Sequence, residues 1–139
     1  MMITKEALHK KSPQEVTALL YEACMDRLEE AKARIEANDL VGANHRLQKS
    51  SDIFERLGAG LNYEAGIISD QLEVLYMYMA DLVVQANYQK NTALIDEVLN
   101  LLATLSQAWH QAMNENRDLQ PKAAKQKVNA YERSVMYDH

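Results

Sequence analysis

SPQEVTALLYEACMDRLEEAKARIEAND, residues 12–39, holds a helix start, one whole helix, a turn and the start of the next helix, and it decides the fold. Ser12 can accept a hydrogen bond from an unpaired first-turn N–H, Pro13 suits the first helical position because its missing N–H needs no partner there, and Glu15 can complete a capping box. Val16, Leu20, Cys24, Leu28, Ala31 and Ile35 then recur at helical spacing on one face, so the helix runs to about residue 37. Asn38 and Asp39 make the turn, with Asp39 as the cap of a second helix. A turn this short folds the second helix back against the first.

The rest of the chain repeats the pattern. The second helix places Leu40, Ala43, Leu47, Ser50 or Ser51, Phe54, Leu57 and Leu61 on one face, and Gly58 and Gly60 weaken its last turn. Residues 62–66 read as a loop and 67–89 as a third helix, with Leu72, Leu75, Tyr76, Met79, Leu82, Val83 and Ala86 inward. After a break at residues 90–92, a fourth helix carries Leu94, Val98, Leu101, Leu102, Leu105, Trp109, Ala112 and Met113 on one stripe. The fold class is therefore all-α, an antiparallel four-helix bundle over residues 12–113, with an N-terminal segment 1–11 and a C-terminal tail 114–139. Pro121 can open a short additional C-terminal helix with Ala124, Val128, Tyr131 and Val135 on one side.

Composition agrees. The 139 residues are 47% hydrophobic, enough for one core, and include only four glycines and two prolines to interrupt helices. Charge is uneven: residues 1–63 carry ten acids and nine bases, 64–106 six acids and one base, and 107–139 four acids and five bases. An acidic centre without a Lys/Arg cluster excludes a nucleic-acid backbone as the main partner. No apolar run approaches the roughly 20 residues of a membrane span, and no charged start precedes an apolar segment suited to secretion. A single cysteine makes no internal disulfide, which places the chain in the cytoplasm.

Catalytic groups do not assemble. Cys24 lies on the inward face of its helix, where a thiol packs as a small hydrophobe. Glu6-x-x-His9 has the spacing of a di-iron helix, but such a site needs a second Glu-x-x-His, and His110 follows Gln107 at the matching distance. Gly58-Ala59-Gly60 follows a helix and lacks the strand that precedes a phosphate-binding loop. The sequence thus predicts no enzyme, no cofactor and no metal.

The third helix is less ordinary. With Leu75 at 0° and about 100° per residue, Val84, Met77 and Val74 fall at about 180°, 200° and 260°, opposite the core. Asp70 and Asp81 fall among them. One helix is thus apolar on two faces, and a four-helix core needs only one. Three occupants fit the outer face: a separate partner, a second copy, or the chain's own tail. Ile53 on the second helix is a weaker second candidate. Tyr76 and Tyr78 combine an apolar ring with a polar tip, which suits either a partner boundary or packing within the bundle.

Several of these pieces together resemble the flagellin export chaperone family, FliS. They are Ser12-Pro13-x-Glu15 followed by Leu19-Leu20-Tyr21, Leu75-Tyr76-x-Tyr78-Met79 with Ala86-Asn87, and Trp109-x-x-Ala112, in order over roughly residues 3–113. The resemblance implies a cytoplasmic chaperone that binds the disordered C-terminal segment of flagellin, prevents premature polymerisation and aids delivery to the flagellar type III export gate. It also implies that Tyr21, Tyr76, Tyr78 and Trp109 line or support client grooves. The family's N-terminal segment can fold over an empty groove, and Ile3 and Leu8 stand here where that segment often has a tyrosine and a valine. Where the family commonly has two arginines, this chain has Ala80 and Asp81, which reverses the charge at a client-facing position. The partner-binding candidates are therefore Ile3, Leu8, Tyr21, Ile53, Val74, Tyr76, Met77, Tyr78, Asp81 and Val84. The alternative function is a non-catalytic structural or regulatory helical protein that self-associates weakly through the apolar helix face.

Overall fold

The computed structural model describes residues 11–61 and 68–118, and these form α1 (Pro13–Glu36), α2 (Leu40–Ala59), α3 (Ser69–Gln89) and α4 (Thr92–Asp118). Among the described residues there is no strand. The architecture is an all-α four-helix bundle. The stretches 1–10, 62–67 and 119–139, with the expected loop and the additional C-terminal helix, lie outside the described residues.

Caps set the helix starts. The Ser12 side chain accepts from the Glu15 N–H at 3.1 Å, with Pro13 at the first helical position. Asn38 turns the chain at a φ of 60°, and the Asp39 carboxylate then accepts from the Gly42 N–H at 3.0 Å. Lys90 repeats the left-handed turn after α3, and the Asn91 side chain accepts from the Ala93 N–H at 2.9 Å to open α4. These short turns give the up-and-down order. Side-chain bonds between helices fit it: Asn87 near the end of α3 donates to Asn44 near the start of α2, and Lys32 late in α1 donates to Asp96 early in α4.

The chain divides into a compact unit ending at Gln107 and a second one beginning at Ala108, whose described part is the last turns of α4. In the first unit the core is built from Tyr21, Cys24 and Leu28 of α1, Leu47 and Leu57 of α2, Met79 and Val83 of α3, and Ile95, Val98 and Leu102 of α4. Full burial of the leucine, isoleucine, valine and methionine side chains among these contributes about 1.5–3 kcal/mol each. On α3, six of the seven expected inward residues are buried and Leu75 is half-buried. On α1 the inward face begins at Thr17 and Tyr21, leaving Val16 and Leu20 half-buried. Burial of the Tyr21 ring becomes favourable because its hydroxyl finds a partner inside, the hydroxyl of Tyr76. On α2 the choice between the two serines falls to Ser50, which is buried and donates to the Arg46 carbonyl at 3.2 Å, while Leu40 stays exposed. On α4, Ile95 and Ser106 are buried where Leu94 and Leu105 were expected, and Ala112 is exposed. The helix also continues to Asp118, beyond the expected end of the bundle at residue 113.

Two glycines of α2 differ in what they tolerate. A Cβ added at Gly58 meets nothing, whereas one added at Gly42 would overlap the Asp39 carboxylate that caps the helix. Gly58→Ala is therefore expected to stabilise the protein by about 0.5–1 kcal/mol through helix propensity. Gly42→Ala should lose that gain to displacement of a cap worth about 1 kcal/mol. Urea unfolding followed by circular dichroism reads both; equal gains from the two substitutions would refute the capping role of Asp39.

Candidate functional site

Helix α3 is packed on one side and bare on the other. Met79, Val83 and Ala86 face the core, while Val74 is 68% exposed, Met77 64% and Val84 61%. Tyr88, which the sequence reading did not single out, is 92% exposed. At about 100° per residue it falls at about 220°, between Met77 and Val74. Its signal was therefore in the sequence, one helical turn beyond Val84. Asp70 and Asp81 are exposed in the same line. The strip from Val74 to Tyr88 is about 21 Å long at about 1.5 Å per residue.

The strip has a floor on one side and an acid on the other. Towards α2, Val84 and Tyr88 border a shallow groove of about 480 Å³ whose other wall is formed by Asn44, Gln48 and Ser51. A hydrogen bond from the Asn87 side-chain amide to the Asn44 Oδ1, at 2.7 Å, ties the two walls together. Towards α4, Tyr78 is half-exposed and donates its hydroxyl to Glu97 at 2.6 Å. That bond to a carboxylate, with some desolvation, holds the Tyr78 hydroxyl above its ordinary pKa, so the proton stays on the donor.

The other candidates fall elsewhere. Tyr21 and Tyr76 are buried with tilted rings 6.3 Å apart between centroids, so they belong to the core and support the strip from beneath. Of the two expected roles, lining a groove and supporting one, burial leaves them only the second: a tyrosine whose hydroxyl is matched inside gains more from burial than from exposure. Ile53 is half-buried in a separate groove between α1 and α2, beside Leu19 and Ala23 and among Asp26, Arg27 and Asp52. It is about 200° around α2 from Ser51 and shares no surface with the α3 strip. Trp109 is half-buried. Ile3, Leu8, Glu6 and His9 lie outside the described residues.

Cys24 is buried, and desolvation pushes its thiol up to about 12 despite a hydrogen bond with Ser50 that lowers it. At neutral pH it is a protonated thiol without the thiolate a nucleophile needs. Among the described residues no group of acids, histidines and cysteine could hold a metal ion, and no helix is long and apolar enough to cross a membrane. What the geometry offers is an apolar surface with acids along it.

Comparison with known proteins gives this surface a context. The sequence pattern of the family described as Flagellar protein FliS matches residues 3–116. The chain belongs to the FliS family. The flagellar secretion chaperone FliS of Salmonella typhimurium is 32% identical over 109 residues, which cover 77% of this chain and 81% of that protein. Those of Bacillus subtilis and Vibrio cholerae are 29% and 28% identical over 113 residues, covering 81% of this chain and 84% and 83% of theirs. A crystal structure of a flagellar chaperone from bacteria is similar with a TM-score of 0.70, over 81% of this chain and 91% of its own, at 20% identity. At that identity the likeness speaks for the fold.

Proposed function

We propose that this FliS-family chain is a cytoplasmic, non-catalytic secretion chaperone that binds the disordered C-terminal segment of flagellin on the outer face of α3. Binding there would keep the client from polymerising and present it to the flagellar type III export gate. The observation that carries the reading is the exposed line of Val74, Met77, Val84 and Tyr88 on a helix whose opposite face already fills the core. Relatives named as flagellar secretion chaperones support the client class.

The energetics suit a disordered client. Covering apolar side chains returns about 25 cal/mol per Å² of area removed from water, while each residue the client orders costs about 1–2 kcal/mol of backbone entropy. A strip of this length therefore supplies part of the affinity, and other contacts along the client must supply the rest. Titrating the flagellin C-terminal segment into the full chain by calorimetry should give saturable binding with a negative heat-capacity change. No heat and no co-elution at high micromolar concentration would overturn the flagellin reading.

A further inference from the structure

We infer that the α3 strip selects an amphipathic helix bearing a lysine or arginine in the middle of its apolar face, opposite Asp81. The inference rests on the client-binding reading above and adds to it the chemistry of the segment bound.

Val74, Met77, Asp81, Val84 and Tyr88 follow one another at three, four, three and four residues. That is the seam along which a second helix packs side by side, because alternating steps of three and four keep the side chains facing one neighbour. An extended segment would match side chains at a period of two and would not follow this line. All five residues are exposed. The occupant is therefore helical over about three or four turns.

Asp81 stands at the centre of the seam, and among the described residues it has no hydrogen bond or ion pair. Asp70 lies in line before Val74, Glu73 is exposed on one flank, and Glu97 stands behind Tyr78 on the other. Helix α3 has no lysine or arginine. Lys90, just past its end, directs its ammonium group to the Asn87 carbonyl and side-chain oxygens. A helix laid on the seam partly removes Asp81 from water. Without a cation opposite, that desolvation is uncompensated; with one, a charge-assisted bond replaces the lost hydration.

The same geometry works against a second copy. Two α3 strips packed antiparallel and centred on one another bring Asp81 against Asp81, and parallel pairing in register does the same. Like charges meeting in a seam oppose association, so Asp81 acts against self-pairing as it acts for a basic partner.

The test is a titration of the full chain with two synthetic 21-residue helices. Both carry leucines at the seam positions, and they differ only in having lysine or glutamate at the position opposite Asp81. The lysine helix should bind about tenfold tighter than the glutamate helix, and Asp81→Lys should reverse the order. Asp81 is exposed, so the variant keeps the fold, as circular dichroism would verify. Equal affinities for the two helices, or an order unchanged by Asp81→Lys, would overturn the inference. In parallel, Asp81→Lys should weaken the flagellin C-terminal segment by about tenfold. If flagellin fails to bind while the helices rank as expected, the flagellin reading falls and the selectivity stands. If flagellin binds but the helices do not rank, the selectivity alone falls. A dimer in sedimentation that Met77→Asp dissociates would put a second copy on the strip and overturn the inference.

Discussion

Met79→Ala lowers the free energy of unfolding by about 2–5 kcal/mol, whereas Met77→Ala, two residues away on the same helix, changes it by no more than about 0.5 kcal/mol. Met79 is fully buried, so truncation removes its transfer energy and leaves a cavity that the four helices can only partly close. Met77 is exposed, so its truncation removes little buried surface. Urea unfolding of the two variants separates the faces of α3 without reference to any client. Comparable losses in both would mean that the strip is packed in solution, and the candidate site would disappear with that result.

That contrast also marks what could be read from the sequence. Ser12-Pro13 and Asn38-Asp39 fixed the helix starts because capping is local chemistry, complete within four residues, and both caps form as hydrogen bonds. The inward face of α3 was legible because its apolar residues are large and strictly periodic. The reading slipped where a polar residue competes for the core. Tyr21, absent from the expected inward stripe of α1, goes inside because Tyr76 satisfies its hydroxyl, a partner remote in sequence; Ser50 was one of the two serines expected inward on α2, and its bond to the Arg46 carbonyl decides between them. Ser106, also buried, was missed because hydropathy alone places serine outside.

The candidate site was partly legible on the same grounds. Val74, Met77 and Val84 stood out because they break the polar pattern expected of an outer face. Tyr88 escaped notice because a tyrosine close to a helix end looks like an ordinary boundary residue, yet it is the most exposed apolar ring of the strip. Periodicity alone already set Tyr76 on the inward face of α3 and Tyr78 off it, whereas the burial of Tyr21 depends on a tertiary partner that its own helix does not show.

Met77→Asp is expected to weaken binding of the flagellin C-terminal segment by about a hundredfold or more. Covering a methionine contributes about 1.5–3 kcal/mol, and an unpaired carboxylate under a partner adds a desolvation cost of comparable size. Their sum, about 3 kcal/mol at the low end, corresponds to roughly two powers of ten in Kd. Because Met77 is exposed, the substitution leaves the core intact, and a thermal melt close to wild type would show it.

Calorimetric titration of the flagellin C-terminal segment into wild type and into folded Met77→Asp is the most direct measurement of whether the outer face of α3 holds the client. The expected result is saturable binding by wild type and no measurable heat with the variant. Equal affinity of the two proteins would contradict the assignment.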